Sequence, residues 1–128
     1  MSITRQLIKH VRDLAEANPH FVYQKPIDPD SNGVGCRYEV DGEGSCIIGQ
    51  AAIKAGVPVE LLRKWDNPRG NYDSSSIGVV ADTIEIEGMR PIAWLGDVQR
   101  HQDAGKSWGE AVRRADITVT LFNAKDYL

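Results

Sequence analysis

The chain predicts a single α+β domain over residues 1–128: a small antiparallel sheet or hairpin packed by about five helices, with Ser45–Ala55 at the centre. Three observations lead there. Apolar residues recur at spacings of three and four in several separate stretches, the mark of amphipathic helices. Between them lie Pro-, Gly-, Asn- and Asp-rich segments, one of which places Asp41-Gly42 behind an alternating run from Cys36 to Val40, a hairpin signal. A length of 128 residues with 41% hydrophobic and 26% charged residues suits one core, large enough to fold without disulfides or metals.

The first element is a helix capped by Ser2, with Ile3, Leu7, Val11 and Leu14 on its apolar stripe, Ile8 and Ala15 widening it, and Arg5, Lys9, Arg12 and Asp13 facing water. Asn18-Pro19 ends it, because proline lacks a backbone donor and restricts its predecessor. Phe21–Tyr23 reads as a short strand, and Phe21–Gln24 can pair with Cys36–Val40 in a small antiparallel sheet. Residues 27–35, IDPDSNGVG, read as a loop. Its Asp28 and Asp30 suggest calcium, but the further ligands and closing glutamate of a calcium loop are missing.

After the hairpin, Ser45 is the expected N-cap of the central helix. Ile47, Ile48, Ala51, Ala52 and Ala55 form its stripe, and Gly56 is the expected left-handed stop. Pro58 opens a short helix through Trp65. Residues 66–73, DNPRGNYD, form a second polar loop, and Ser74–Ser76 offer caps for a helix bearing Ile77, Val80, Ala81 and Ile84. Beyond Ala81 the pattern changes, with Ile84 and Ile86 alternating with charges, so the helix is expected to fray into an extended piece there. Another amphipathic helix starts near Arg90 and stops at Gly105. Ser107 and Glu110 form a capping box for the last helix, through Ala111, Val112 and Ala115. Residues 116–128 fit either a strand or a helix.

Composition narrows the function. A net charge of −3 gives no general attraction to nucleic acid or anionic membranes. No stretch reaches the roughly 20 apolar residues that cross a bilayer, and the first 20 residues are too polar and evenly charged for a signal peptide. The expected setting is therefore cytoplasmic, with both cysteines reduced, which disfavours a Cys36–Cys46 disulfide. Two cysteines and three histidines show no zinc spacing, and GVGCR lacks the features of a phosphate loop. Neither metal nor cofactor is expected.

Cys46 is the sharpest chemical candidate. In the first turn of a helix, free N–H groups and the dipole stabilise a thiolate. The competing reading is a small buried hydrophobe. Asp97 and His101, four apart on one helix face, form either an acid–base pair or an ordinary solvated contact. Trp65, Arg69 and Tyr72 gather the residue types that anchor protein interfaces, unless Trp65 simply closes the core beneath its loop. Residues 107–125 suggest a helix-turn-helix, with 107–115 as its first helix and the turn and second helix from Ile117 onward. Asp116 where glycine is usual, and Lys125 as the lone basic residue of the second helix, count against it.

FVY at 21–23, Cys36-x-Tyr38, SCIIGQA at 45–51 with AGVP at 55–58, and WLGDVQRHQDAGKSWGEAV at 94–112 resemble small uncharacterised proteins of actinobacteriophages and their actinobacterial hosts. The resemblance implies a source and, by analogy of source, a non-catalytic binding or modulatory protein acting on a host protein in the host cytoplasm, through Trp65, Arg69 and Tyr72. The alternatives are a DNA-binding regulator using residues 107–125 and a cysteine-dependent enzyme using Cys46.

Overall fold

The computed structural model describes residues 2–24, 27–28, 33–34, 37–66, 77–86 and 88–119. Among them are six helices, two short antiparallel hairpins and one continuous apolar core. Helix α1 (Ile3–Ala17) begins as expected: the Ser2 hydroxyl accepts from the Arg5 N–H at 3.2 Å. Its Leu7, Ile8 and Val11 have no exposed surface, each worth about 1.5–3 kcal/mol relative to exposure. At its end, the Asn18 amide donates to the Leu14 carbonyl at 3.0 Å.

Residues 21–23 depart from expectation. Among the described residues they make no ladder with the strand near Val40, but an isolated bridge joins Val22 to Ser107. Their neighbourhood caps the last helix instead. The N–H of Trp108 donates to the Phe21 carbonyl at 2.8 Å, and that of Gly109 to the Pro19 carbonyl at 3.0 Å. Those are donors that a helix start leaves free. Phe21 also stands edge-on to the Trp108 ring, 4.5 Å between centroids.

Within the segment read as a loop, β1 (Ile27–Asp28) pairs antiparallel with β2 (Gly33–Val34). The expected hairpin is β3 (Glu39–Val40) and β4 (Glu43–Gly44), in register Glu39 to Gly44. Asp41 at φ 54° and Gly42 at φ 84° make its two-residue turn, the conformation an Asp-Gly pair favours.

Helix α2 (Ile47–Lys54) is central, with Ile47, Ile48, Ala51 and Ala52 wholly buried. Its cap is Cys46 rather than Ser45, the sulfur accepting from the Gly49 N–H at 3.4 Å. Ser45 is occupied elsewhere, its hydroxyl 2.6 Å from that of Tyr23. Gly56 at φ 93° stops the helix, as expected. Helix α3 (Val59–Asp66) follows Pro58, and α4 (Ile77–Ile84) ends at Glu85 with φ 55° before the buried, non-helical Ile86. Asp66, expected to open a loop, is the last residue of α3. Only 3% exposed, its carboxylate accepts from the N–H groups of Tyr38 at 2.7 Å and Glu39 at 2.9 Å, tying β3 to α3.

Helix α5 (Met89–Asp103) stops before Gly105, at φ 92°, and α6 (Trp108–Thr118) packs along it. Half of the capping box forms: the Ser107 hydroxyl accepts from the Glu110 N–H at 3.2 Å. The Glu110 carboxylate turns instead to Arg113 and Arg114, at 2.7 and 2.8 Å, because charged donors compete better for it than one amide does. Helix α6 also runs unbroken through Asp116, Ile117 and Thr118, where a helix-turn-helix reading requires its turn.

Candidate functional site

An open groove of about 660 Å³ lies between α1 and α6. Its apolar lining is Ala15, Pro19, Gly109 and Val112. Arg12, Asp13, Glu16, Arg113 and Asp116 complete its walls. Gly109 belongs to this lining for a steric reason, since a Cβ there would stand 2.7 Å from the Pro19 carbonyl oxygen. The chain end of α1 therefore lies directly against the start of α6.

Arg12 lines the groove and is fixed from several sides. Its two terminal nitrogens grip both oxygens of Asp116, at 2.8 and 3.0 Å. Its guanidinium also lies 4.8 Å over the Trp94 ring, and the Trp94 indole N–H donates to the same carboxylate at 2.9 Å. A forked ion pair stacked on an aromatic face is a geometry that arginine alone supplies. Arg12 was expected to face water, but its side chain is only 17% exposed. Nothing local announces this, because the partners are 104 positions apart.

Cys46, the candidate nucleophile, is sealed 1% exposed among core residues, and its thiol is free rather than joined to Cys36. Burial pushes the thiol from the ordinary 9.0 up to about 12. The Gly49 N–H opposes this without overcoming it. The helix-start electrostatics that suggested a thiolate are present, but desolvation outweighs them. At pH 8 the thiolate fraction drops by on the order of a thousandfold. Mass mapping of alkylated peptides is expected to show Cys46 modified slowly in the folded protein and rapidly in urea. Fast native modification at pH 7 would restore the nucleophile reading.

The remaining candidates sit as follows. Trp65 is buried at 1% exposure, its indole N–H donating to the Thr83 hydroxyl at 2.7 Å and its ring edge-on to Tyr38. It closes the core between α3 and α4. Arg69 and Tyr72 lie outside the described residues, as do Asp30, Lys125 and the cap candidates Ser74–Ser76. Asp97 and His101 do meet, Oδ2 to Nε2 at 3.2 Å, with side chains only 8% and 13% exposed. Arg100 holds the other oxygen of Asp97 at 2.6 Å.

Sequence reading missed a polar network inside the core. The Gln102 carbonyl oxygen accepts from the Ile47 N–H at 2.8 Å and the Trp108 indole at 3.1 Å, so one side chain of α5 ties the starts of α2 and α6 together. Tyr38 receives the Gln99 amide on its hydroxyl, and burial raises that phenol well above its ordinary range. Among the described residues, no group of three or more His, Cys, Asp or Glu side chains could hold a metal ion. None of their helices is long and apolar enough to cross a membrane.

No protein-family model, curated protein or solved structure matches the chain.

Proposed function

We propose that this chain is a non-catalytic binding protein that modulates another protein, engaging it through the groove between α1 and α6. The observation that carries this is the groove itself, lined by the apolar Ala15, Pro19 and Val112 together with Arg12, Asp13, Glu16, Arg113 and Asp116. Apolar surface beside a polar rim is the anatomy of a recognition surface. Charges of both signs on that rim favour a polypeptide segment of mixed charge over a uniformly charged polymer. The resemblance to actinobacteriophage proteins makes a host protein the partner class.

The test is recovery from nuclease-treated actinobacterial lysate, comparing charge reversals on and off the rim. One host protein is expected to be retained by the native chain and by Lys64→Glu on α3, and to be lost with Glu16→Lys or Asp13→Lys. Both rim residues are exposed, so these variants keep the fold. Retention of the partner by both rim variants, or recovery of no specific protein, would overturn the assignment of this groove.

DNA binding through residues 107–125 is the second reading. Arg113 and Arg114, 60% and 44% exposed on α6, favour it; the unbroken helix past Asp116 gives it no turn.

A further inference from the structure

On the other side of α6, a second cleft of about 230 Å³ separates it from α5. Its walls are Arg100, His101, Arg113, Arg114, Ile117 and Thr118. Every ionisable side chain among them is basic. The two carboxylates that touch these residues, Asp97 and Glu110, pair with them but do not line the cleft. Glu110 alone serves both Arg113 and Arg114. Those two guanidiniums hold its carboxyl down at about 2. One negative charge is thus shared by two positive ones, and a formal positive charge is left over.

Donors are left over as well. Arg114 spends only its Nε on Glu110, at 2.8 Å. Among the described residues, its two terminal nitrogens meet no acceptor, which leaves the forked end of a guanidinium for an oxyanion. His101 Nε2 stands 3.2 Å from Asp97 Oδ2, and its side chain is only 13% exposed. The carboxyl end of α6 contributes partial negative charge near Thr118, but that half-charge is smaller than the excess from the arginines. Beside this polar wall, Ile117 is 69% exposed, an apolar side chain at the rim of a cationic cleft.

We propose that the α5–α6 cleft binds a phosphomonoester, its phosphate held by Arg100, His101, Arg113 and Arg114 and its organic part lying over Ile117. The charge and forked donors select the phosphate, and the exposed isoleucine favours an organic ester over the bare ion. The site is independent of the proposed protein-binding groove, sharing only Arg113 with it.

Titration of the full chain with phenyl phosphate and, separately, inorganic phosphate, followed by amide and imidazole NMR shifts, tests this. Saturable shifts are expected at His101, Arg114, Ile117 and Thr118, with phenyl phosphate the tighter ligand. Arg114→Ala is expected to weaken both by about tenfold or more. Ile117→Ser should remove only the advantage of phenyl phosphate. The groove variant Glu16→Lys should leave both affinities unchanged, so failure here and failure of the protein-binding reading are separable. Non-saturating shifts, shifts spread equally over Arg5 and Lys9, or unchanged affinity in Arg114→Ala would overturn the site. So would binding of duplex DNA with no response to phenyl phosphate, which would make the cleft a nucleic-acid backbone contact.

Discussion

Gly49→Ala is expected to destabilise the protein by about 3 kcal/mol or more, enough to leave much of it unfolded. A Cβ on Gly49 would clash with the carbonyl oxygen of Tyr38, with the Tyr38 Cα at 2.9 Å. Both obstructions are backbone, and that backbone is held on all sides. The Tyr38 N–H donates to Asp66 at 2.7 Å, its carbonyl accepts from the Ser45 N–H at 2.9 Å, and its ring is buried against Trp65. Relief would therefore require moving β3 away from both α2 and α3, with the loss of those bonds. Urea unfolding measures the effect. Gly56→Ala is the control: a positive φ of 93° with open space around it costs only about 1 kcal/mol. If the two variants were equally mild, the close approach of α2 to β3 would be wrong.

Trp65→Ala is expected to cost about 3–5 kcal/mol, the range for emptying a buried indole site. The ring is wholly enclosed, and its N–H bond to Thr83 joins α3 to α4 across 18 residues. Trp65→Phe separates the two contributions, because it keeps most of the volume and removes the donor, for about 1 kcal/mol. Urea midpoints of the two variants decide the matter. A Trp65→Ala protein as stable as the native chain would mean the residue is a surface anchor after all. With the ring buried, loss of a partner in this variant would report loss of the fold, so the exposed rim residues Asp13 and Glu16 are the sounder probes of binding.

Helix stops and turns were legible because their causes are local. Ser2 caps because its oxygen reaches an amide three residues away, and Gly56 and Gly105 stop helices because they adopt φ of 93° and 92°. The Asp41-Gly42 turn is equally self-contained. The one-residue shift from Ser45 to Cys46 as the cap of α2 shows where locality ends: Tyr23, 22 positions from Ser45, engages the serine first.

The sequence alone determined the helix periods, the local stops and turns, and the α+β class, since hydrophobic spacing and backbone preference act over a few residues. Tertiary structure decided the rest. Gln102 and Arg12 look in sequence like ordinary polar residues of helix faces and Asp66 like the start of a loop, yet they respectively join two helix starts, line the groove and hold β3. A polar side chain carries no mark of its distant partner. Whether it faces water, a buried amide or a carboxylate 104 positions away is set only when the helices pack, because the cost of desolvating it is met by bonds that exist only in the folded chain.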